Sequence, residues 1–129
     1  MVGVVLNTRK CDGRVIVPLR GVLDVVDAVS VAAALAAVAA REPEIIVDLA
    51  GVEFMDSSGV AALVRGRKHA RHAGGDLLLA APQQQVLRVL AITRLIDVFS
   101  LHVSVDEAAG HGRCRREAAP VVGRPSPLP

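Results

Sequence analysis

"EIIVDLAGVEFMDSSGVAALV", residues 44–64, changes its hydrophobic period halfway along. Residues 44–49 are mainly β-branched and apolar, the pattern of a short central strand buried on both faces. At the other end, Val60, Leu63 and Val64 share one face over two turns of a helix expected from about residue 58 to residue 73, with Gly74 and Gly75 as its stop. Arg67 and Arg71 fall on that same side, so the later turns are expected to leave the core, with the arginine stems lying over its rim. Between strand and helix, a short loop brings "DSSG" (56–59) to the junction. A strand handing over to a helix in this way is half of a β-α-β unit and predicts a layered α/β fold.

The flanking sequence supplies the other halves. Residues 2–8 and 14–19 are rich in β-branched residues and bracket Asp12-Gly13, a hairpin signal, so they read as two antiparallel strands. Over residues 27–40, Val31, Leu35 and Val38 recur at helical spacing among alanines, with Asp27 as N-cap and an end near Pro43. Downstream, "DLLLAA" (76–81) is a buried strand closed by Pro82, and residues 83–92 carry Val86, Leu87 and Leu90 at helical spacing. "DVFSLHV" (97–103) gives a last short strand, and Ser104 with Glu107 forms a capping box over one or two turns of helix. The order β-β-α-β-α-β-α-β-α predicts a mixed β-sheet of four to five strands with helices packed on it. The organisation expected is one folded domain over 1–108 and a flexible Arg/Pro-rich tail over 109–129, where no periodicity survives.

Composition removes several function classes. The chain has 129 residues, the size of one domain. Hydrophobic residues make up 52% of it, but the longest apolar run, "VAAALAAVAA" (31–40), is mostly alanine and far short of a bilayer span, so no membrane partner is expected. Neither a charged leader nor a cleavage site opens the sequence, and a cytoplasmic location is expected. Cys11 and Cys114 are the only cysteines, with no histidine grouped beside either, and argue for neither a disulfide framework nor a metal site. No cofactor motif occurs; in particular, the G-x-x-x-x-G-K-[ST] phosphate loop of a nucleotide sensor is absent. Phe54 and Phe99 are the only aromatics, too few for base stacking. Arg113, Arg115, Arg116 and Arg124 against Glu117 give the tail +3 of a total of +2, which leaves −1 for residues 1–108. Direct nucleic-acid binding by the folded part is therefore not expected.

The junction itself admits three readings. Helix starts carry unpartnered N–H groups and the positive end of the helix dipole, and so favour an anion. In the simplest reading Asp56 or Ser57 caps the helix, worth about 1 kcal/mol, while Gly59 relieves crowding. A nucleophilic serine would need a base and an oxyanion hole, yet His69, His72, His102 and His111 all lie outside the junction and G-x-S-x-G is missing. A phosphorylated serine would add roughly −1.5 to −2 charges beside Asp56, at the favourable end of a helix, where a docked partner would feel it.

"VDLAGVEFMDSSGVAALV" (47–64) resembles the signature of the STAS domain in bacterial anti-sigma factor antagonists. Gly21, Leu23 and Asp24 match that family's G-x-L-D after its second strand, "LLLAAP" (77–82) the strand before its third helix, and "VLRVLAITRLIDVFSLHVSVDEA" (86–108) its closing segment. The likeness covers most of residues 2–108. It implies a STAS-like fold and a binding protein without catalytic activity. Its serine after the aspartate, here Ser57, would be phosphorylated by a partner that is both anti-sigma factor and serine kinase, and dephosphorylated by a serine phosphatase. Unphosphorylated, the antagonist would hold the anti-sigma factor; phosphorylated, it would let go. Asp24, Asp56, Ser58 and Gly59 match positions bordering the docking surface. Asp24 reads equally as a solvated carboxylate, Ser58 as the cap, and Gly59 as a steric requirement that keeps the helix start open to a partner's backbone. The alternative is a constitutive STAS scaffold or regulatory subunit with no phosphoswitch. Arg94 stands where relatives often have glycine, which predicts strain if the backbone there needs positive φ.

Overall fold

Residues 8–11 and 13–110 are described by the computed structural model. They form β1 (Arg9–Cys11), β2 (Arg14–Leu23), α1 (Val25–Arg41), β3 (Glu44–Met55), α2 (Ser57–His72), β4 (Asp76–Ala80), α3 (Gln84–Ile92), β5 (Ser100–His102) and α4 (Val105–Ala109). The five strands make one sheet in the order β1-β2-β3-β4-β5. β1 runs antiparallel to β2 and every other pair is parallel. The expected mixed sheet with helices packed on it is therefore what forms. The strand expected over 2–8 and the tail lie outside the described residues, apart from residue 8 and residues 109–110.

The run that reads as a central strand is central. Ile45, Ile46 and Val47 are all fully buried, because β3 is covered on both faces. Ile45, Val47 and Leu49 join Val17, Leu77 and Leu79 in one core with Val31 and Leu35 of α1, Leu63 of α2 and Leu90 of α3. Ile16, Ile46 and Ala80 face the other way, against Cys11 and against Ala108 and Ala109 of α4. Strand alternation thus sorts one apolar sequence into two layers.

Four expectations need correction. First, β2 and β3 are longer than expected: β3 continues through the supposed loop to Met55, paired with a β2 that runs to Leu23. Register shifts at Pro18/Arg20 and Gly21/Val22 bend β2 to follow it, with Gly21 at φ +84°. Second, α1 begins at Val25, capped by Asp24, whose carboxylate accepts from Val26 N at 3.0 Å; Asp27 sits inside the first turn. Third, α2 does not leave the core. Gly66 and Ala70 carry the buried seam onward, and a Cβ at Gly66 would lie 2.7 Å from Leu35 Cδ1, so glycine lets α1 and α2 approach closely. Arg67 and Arg71 flank this seam and pair with Asp76, each at 3.3 Å. Fourth, Cys11 is disulfide-bonded, where the sequence argued for no disulfide framework.

Helix ends follow elementary chemistry. α2 stops as expected at Gly74, φ +96°, with Gly75 N donating to Ala70 O at 2.9 Å. Among the described residues, no helix is long and apolar enough to cross a membrane.

Candidate functional site: the paired starts of two helices

β2 and β3 finish level. Leu23 pairs with Met55, and Asp56 N donates to Leu23 O at 3.3 Å. Each strand is followed at once by an aspartate in extended conformation and then by a helix, so α1 and α2 begin side by side with Asp24 and Asp56 as their caps. Pairing of parallel strands therefore brings together two motif residues that lie 32 positions apart in the sequence.

Asp56 Oδ1 accepts from Ser58 N at 2.9 Å and from Gly59 N at 3.2 Å. This decides the cap: it is Asp56, and neither Ser57 nor Ser58 fills that role. Ser57 is the first residue of α2 and is exposed, while Asp56 and Ser58 are half-buried. Gly59 is buried; a Cβ there would lie 2.6 Å from Met55 Cγ and 2.7 Å from Leu23 O. Its steric role is thus internal, seating α2 against the strand ends, and it offers no surface to a partner. The strand end is fastened from the far side by Gln85 of α3. Its side-chain amide accepts from Met55 N at 2.8 Å and donates to Met55 O at 3.0 Å, as a neighbouring strand would.

The site is acidic and uncompensated. Asp24, Asp27, Glu53 and Asp56 make no ion pair among the described residues; the pairs present involve Glu42, Asp76 and Glu107 instead. Because Asp56 already occupies the amides of Ser58 and Gly59, a phosphate on Ser57 would not be absorbed into the helix start. Its charge would stand at the surface beside a carboxylate.

Among the described residues no histidine lies at the junction, so none of them offers Ser57 an imidazole base. One serine, histidine and carboxylate do come into series elsewhere: Ser100 Oγ is 3.0 Å from His102 Nε2, and His102 Nδ1 is 3.4 Å from Glu107 Oε1. That series belongs to β5 and α4, two strands away from β3. Ser104 caps α4 as expected, its Oγ accepting from Glu107 N, but the Glu107 side chain reaches back past the cap to accept from Val103 N at 2.9 Å, so the box closes one residue early. A shallow groove of about 240 Å³, lined by Ala36, Ala39, Ala40, His69, His72 and Ala73, lies at the opposite ends of α1 and α2 from Ser57.

Sequence reasoning missed the exposed apolar residues around the site. Val22, Val25, Val26 and Val29 are exposed, as is Phe54, the register partner of Val22. Part of the signal was there: positions 25, 26 and 29 fall at helical spacing, but nothing local distinguishes them from a core stripe, while Val22 belongs to β2.

The model of the STAS domain family matches residues 6–108. Over 105 residues, 81% of this chain and 90% of the relative, the sequence is 30% identical to BtrV of Bordetella bronchiseptica, a protein provisionally named an anti-sigma factor antagonist. The fold is similar to the crystal structure of a protein from Thermotoga maritima bearing the same provisional name, with TM-score 0.73 and 24% identity over 80% of this chain and 90% of that one. It is also similar to the Bacillus cell fate determinant SpoIIAA in its phosphorylated form, with TM-score 0.62 and 20% identity over 81% of this chain and 96% of that one. With its sheet order, its Asp-Ser-Ser-Gly junction and most of its length accounted for in this way, the chain belongs to the STAS-domain family of anti-sigma factor antagonists.

Proposed function

We propose that this chain is a phosphorylation-switched binding protein: through the surface around Ser57 it holds an anti-sigma factor that is also a serine kinase, and phosphorylation of Ser57 releases it. A serine phosphatase resets the switch. The observation that carries this reading is the exposed hydroxyl of Ser57 at the first position of α2, beside a carboxylate that has already taken the neighbouring amides. A phosphate there cannot be neutralised locally, so a closely docked surface has to accommodate roughly two added charges or leave. Support also comes from SpoIIAA, which shares the fold and exists in a phosphorylated form. Asp24 and Ser58 border the docking surface in this reading, and Asp56 both caps the helix and sets the local charge.

The test is direct. Full-length protein is incubated with magnesium ATP and each anti-sigma factor kinase of the host, and the products are weighed intact and after peptide mapping. One phosphate-sized increase on Ser57, lost in Ser57→Ala, is expected. Modification confined to other residues, or unchanged partner affinity after full phosphorylation, overturns the switch and leaves a constitutive binding module.

A further inference from the structure

We infer that Ser100, His102 and Glu107 form a nucleophilic site that takes the acyl group from small activated carboxylic esters and passes it to water. The site is separate from Ser57 and does not depend on the switch.

Strand alternation puts Ser100 and His102 on one face of β5, since their register partners Leu78 and Ala80 belong to the layer under α4 while Leu101 turns to the opposite core. Hydroxyl and ring are thereby set in contact, with Ser100 Oγ 3.0 Å from His102 Nε2. Glu107 arrives from α4. Val103 N holds its Oε1 at 2.9 Å, and the same oxygen stands 3.4 Å from His102 Nδ1. A carboxylate accepts and does not donate, so a neutral ring facing it carries its hydrogen on Nδ1 and its lone pair on Nε2. Ser100 is then the donor and His102 its base, with Glu107 as the positioning residue. The ring side chain is only 24% exposed, whereas Ser100 is open to an approaching molecule.

A base alone does not make an acyl-transfer site, because the oxyanion that develops needs a donor. Among the described residues β5 is an edge of the sheet. His102 O points inward and accepts from Ala81 N at 2.8 Å, so alternation turns the Leu101 N–H outward, past the last strand. That N–H belongs to the residue after the nucleophile, a position that supplies an oxyanion donor in serine hydrolases. Leu78, beside Ser100 on the same face, offers a short acyl chain an apolar seat. An exposed hydroxyl with one such donor suits small esters with good leaving groups.

The reaction balances without a cofactor. Ser100 Oγ bonds to the ester carbonyl carbon as its proton passes to His102 Nε2. The carbon–oxygen bond to the alcohol then breaks, and His102 gives the proton to the leaving oxygen. Water repeats the sequence on acyl-Ser100, losing a proton to His102, which returns it to Ser100 Oγ as the carboxylic acid leaves.

The probe is p-nitrophenyl acetate on the full chain. Release of nitrophenol, as a burst or as steady turnover, should accompany one acetyl-sized mass increase mapped to Ser100, and Ser100→Ala should lose both. His102→Gln should slow acetylation of Ser100 about a hundredfold, the lower end of what a positioned base contributes. Acetyl groups confined to lysine or histidine, or release unchanged in Ser100→Ala, overturn the site. Heteronuclear NMR of the His102 ring nitrogens needs no variant and reads the tautomer directly. Hydrogen on Nδ1 is expected; hydrogen on Nε2 makes Ser100 the acceptor, and the inference falls. Glu107→Gln keeps a carbonyl for Val103 N but loses the charge, and should slow acetylation and admit the Nε2 tautomer with the thermal midpoint unmoved. The parent rate and tautomer in that variant would remove Glu107 and break the three-residue assignment.

Discussion

Asp56 commits one carboxylate oxygen to two amides, and that single choice makes it, and not the exposed Ser57 beside it, the residue that stabilises the start of α2. Asp56→Ala should cost about 1 kcal/mol, within the roughly 0.5–2 kcal/mol range of lost N-caps, while Asp56→Asn should cost less because its carbonyl still accepts. Urea denaturation followed by circular dichroism measures both. Gly59 is the stricter position. A methyl group there meets the backbone carbonyl of Leu23, which cannot rotate aside, so Gly59→Ala should destabilise by about 1–3 kcal/mol in the same assay. A Gly59→Ala protein as stable as the parent would show that α2 can retreat from the strand ends. From the sequence, any of three consecutive residues could have been the cap, because aspartate and serine serve equally well. What decides among them is where β3 ends, and that is fixed by pairing with Leu23, a contact 32 residues distant that no local pattern reports.

At the scale of elements, the helix ends were more legible than the helix starts. Glycine at a C-terminus has one strong meaning, and Gly74 delivers it. α3 ends by the same motif without the glycine. Leu95 N donates to Leu90 O at 2.9 Å and Arg94 N to Ala91 O at 3.0 Å, which forces Arg94 to φ +64°, the strain its sequence position suggested. Since Arg94 is exposed and its side chain makes no ion pair among the described residues, relieving that backbone has little to offset it. Arg94→Gly should therefore stabilise the protein by about 0.5–1 kcal/mol, the left-handed penalty less the entropy glycine adds to the unfolded chain. A lower urea midpoint in that variant would mean that the arginine stem packs in a way that outweighs the strain. The start of α1 was illegible for a different reason. Its valines and alanines carry two apolar stripes, and only packing against Leu63 and Gly66 of α2 tells which is the core. Gln85 was equally silent, because a side chain that substitutes for a strand leaves no periodic signal.

The molecule as a whole divides its work between the two ends of its parallel strands. Cys11 sits beside Arg14, at the start of β2, and α4 packs near it, with Arg14 Nη1 donating to Ala109 O at 3.4 Å. Both helix caps and Ser57 gather at the other end, past Leu23 and Met55. The strand order and the buried runs could be read in the sequence because apolar β-branched residues have few other uses. The division of labour could not, because it depends on which strands are neighbours. Leu23 and Met55 are fully buried immediately beneath the site, so Ser57 stands on rigid packing and not on a loop that charge could rearrange. A change there should alter what the surface binds without altering the fold. Ser57→Asp is expected to leave stability within about 0.5 kcal/mol of the parent, as exposed substitutions usually do. If the proposed switch holds, the same variant should also weaken association with the proposed kinase partner, although one carboxylate carries less charge than a phosphate. Calorimetric melting and a binding titration on one preparation separate the two effects. Were the melting temperature to fall in step with affinity, the switch would act by loosening the domain, and a surface read by contact alone would be the wrong description of how this protein signals.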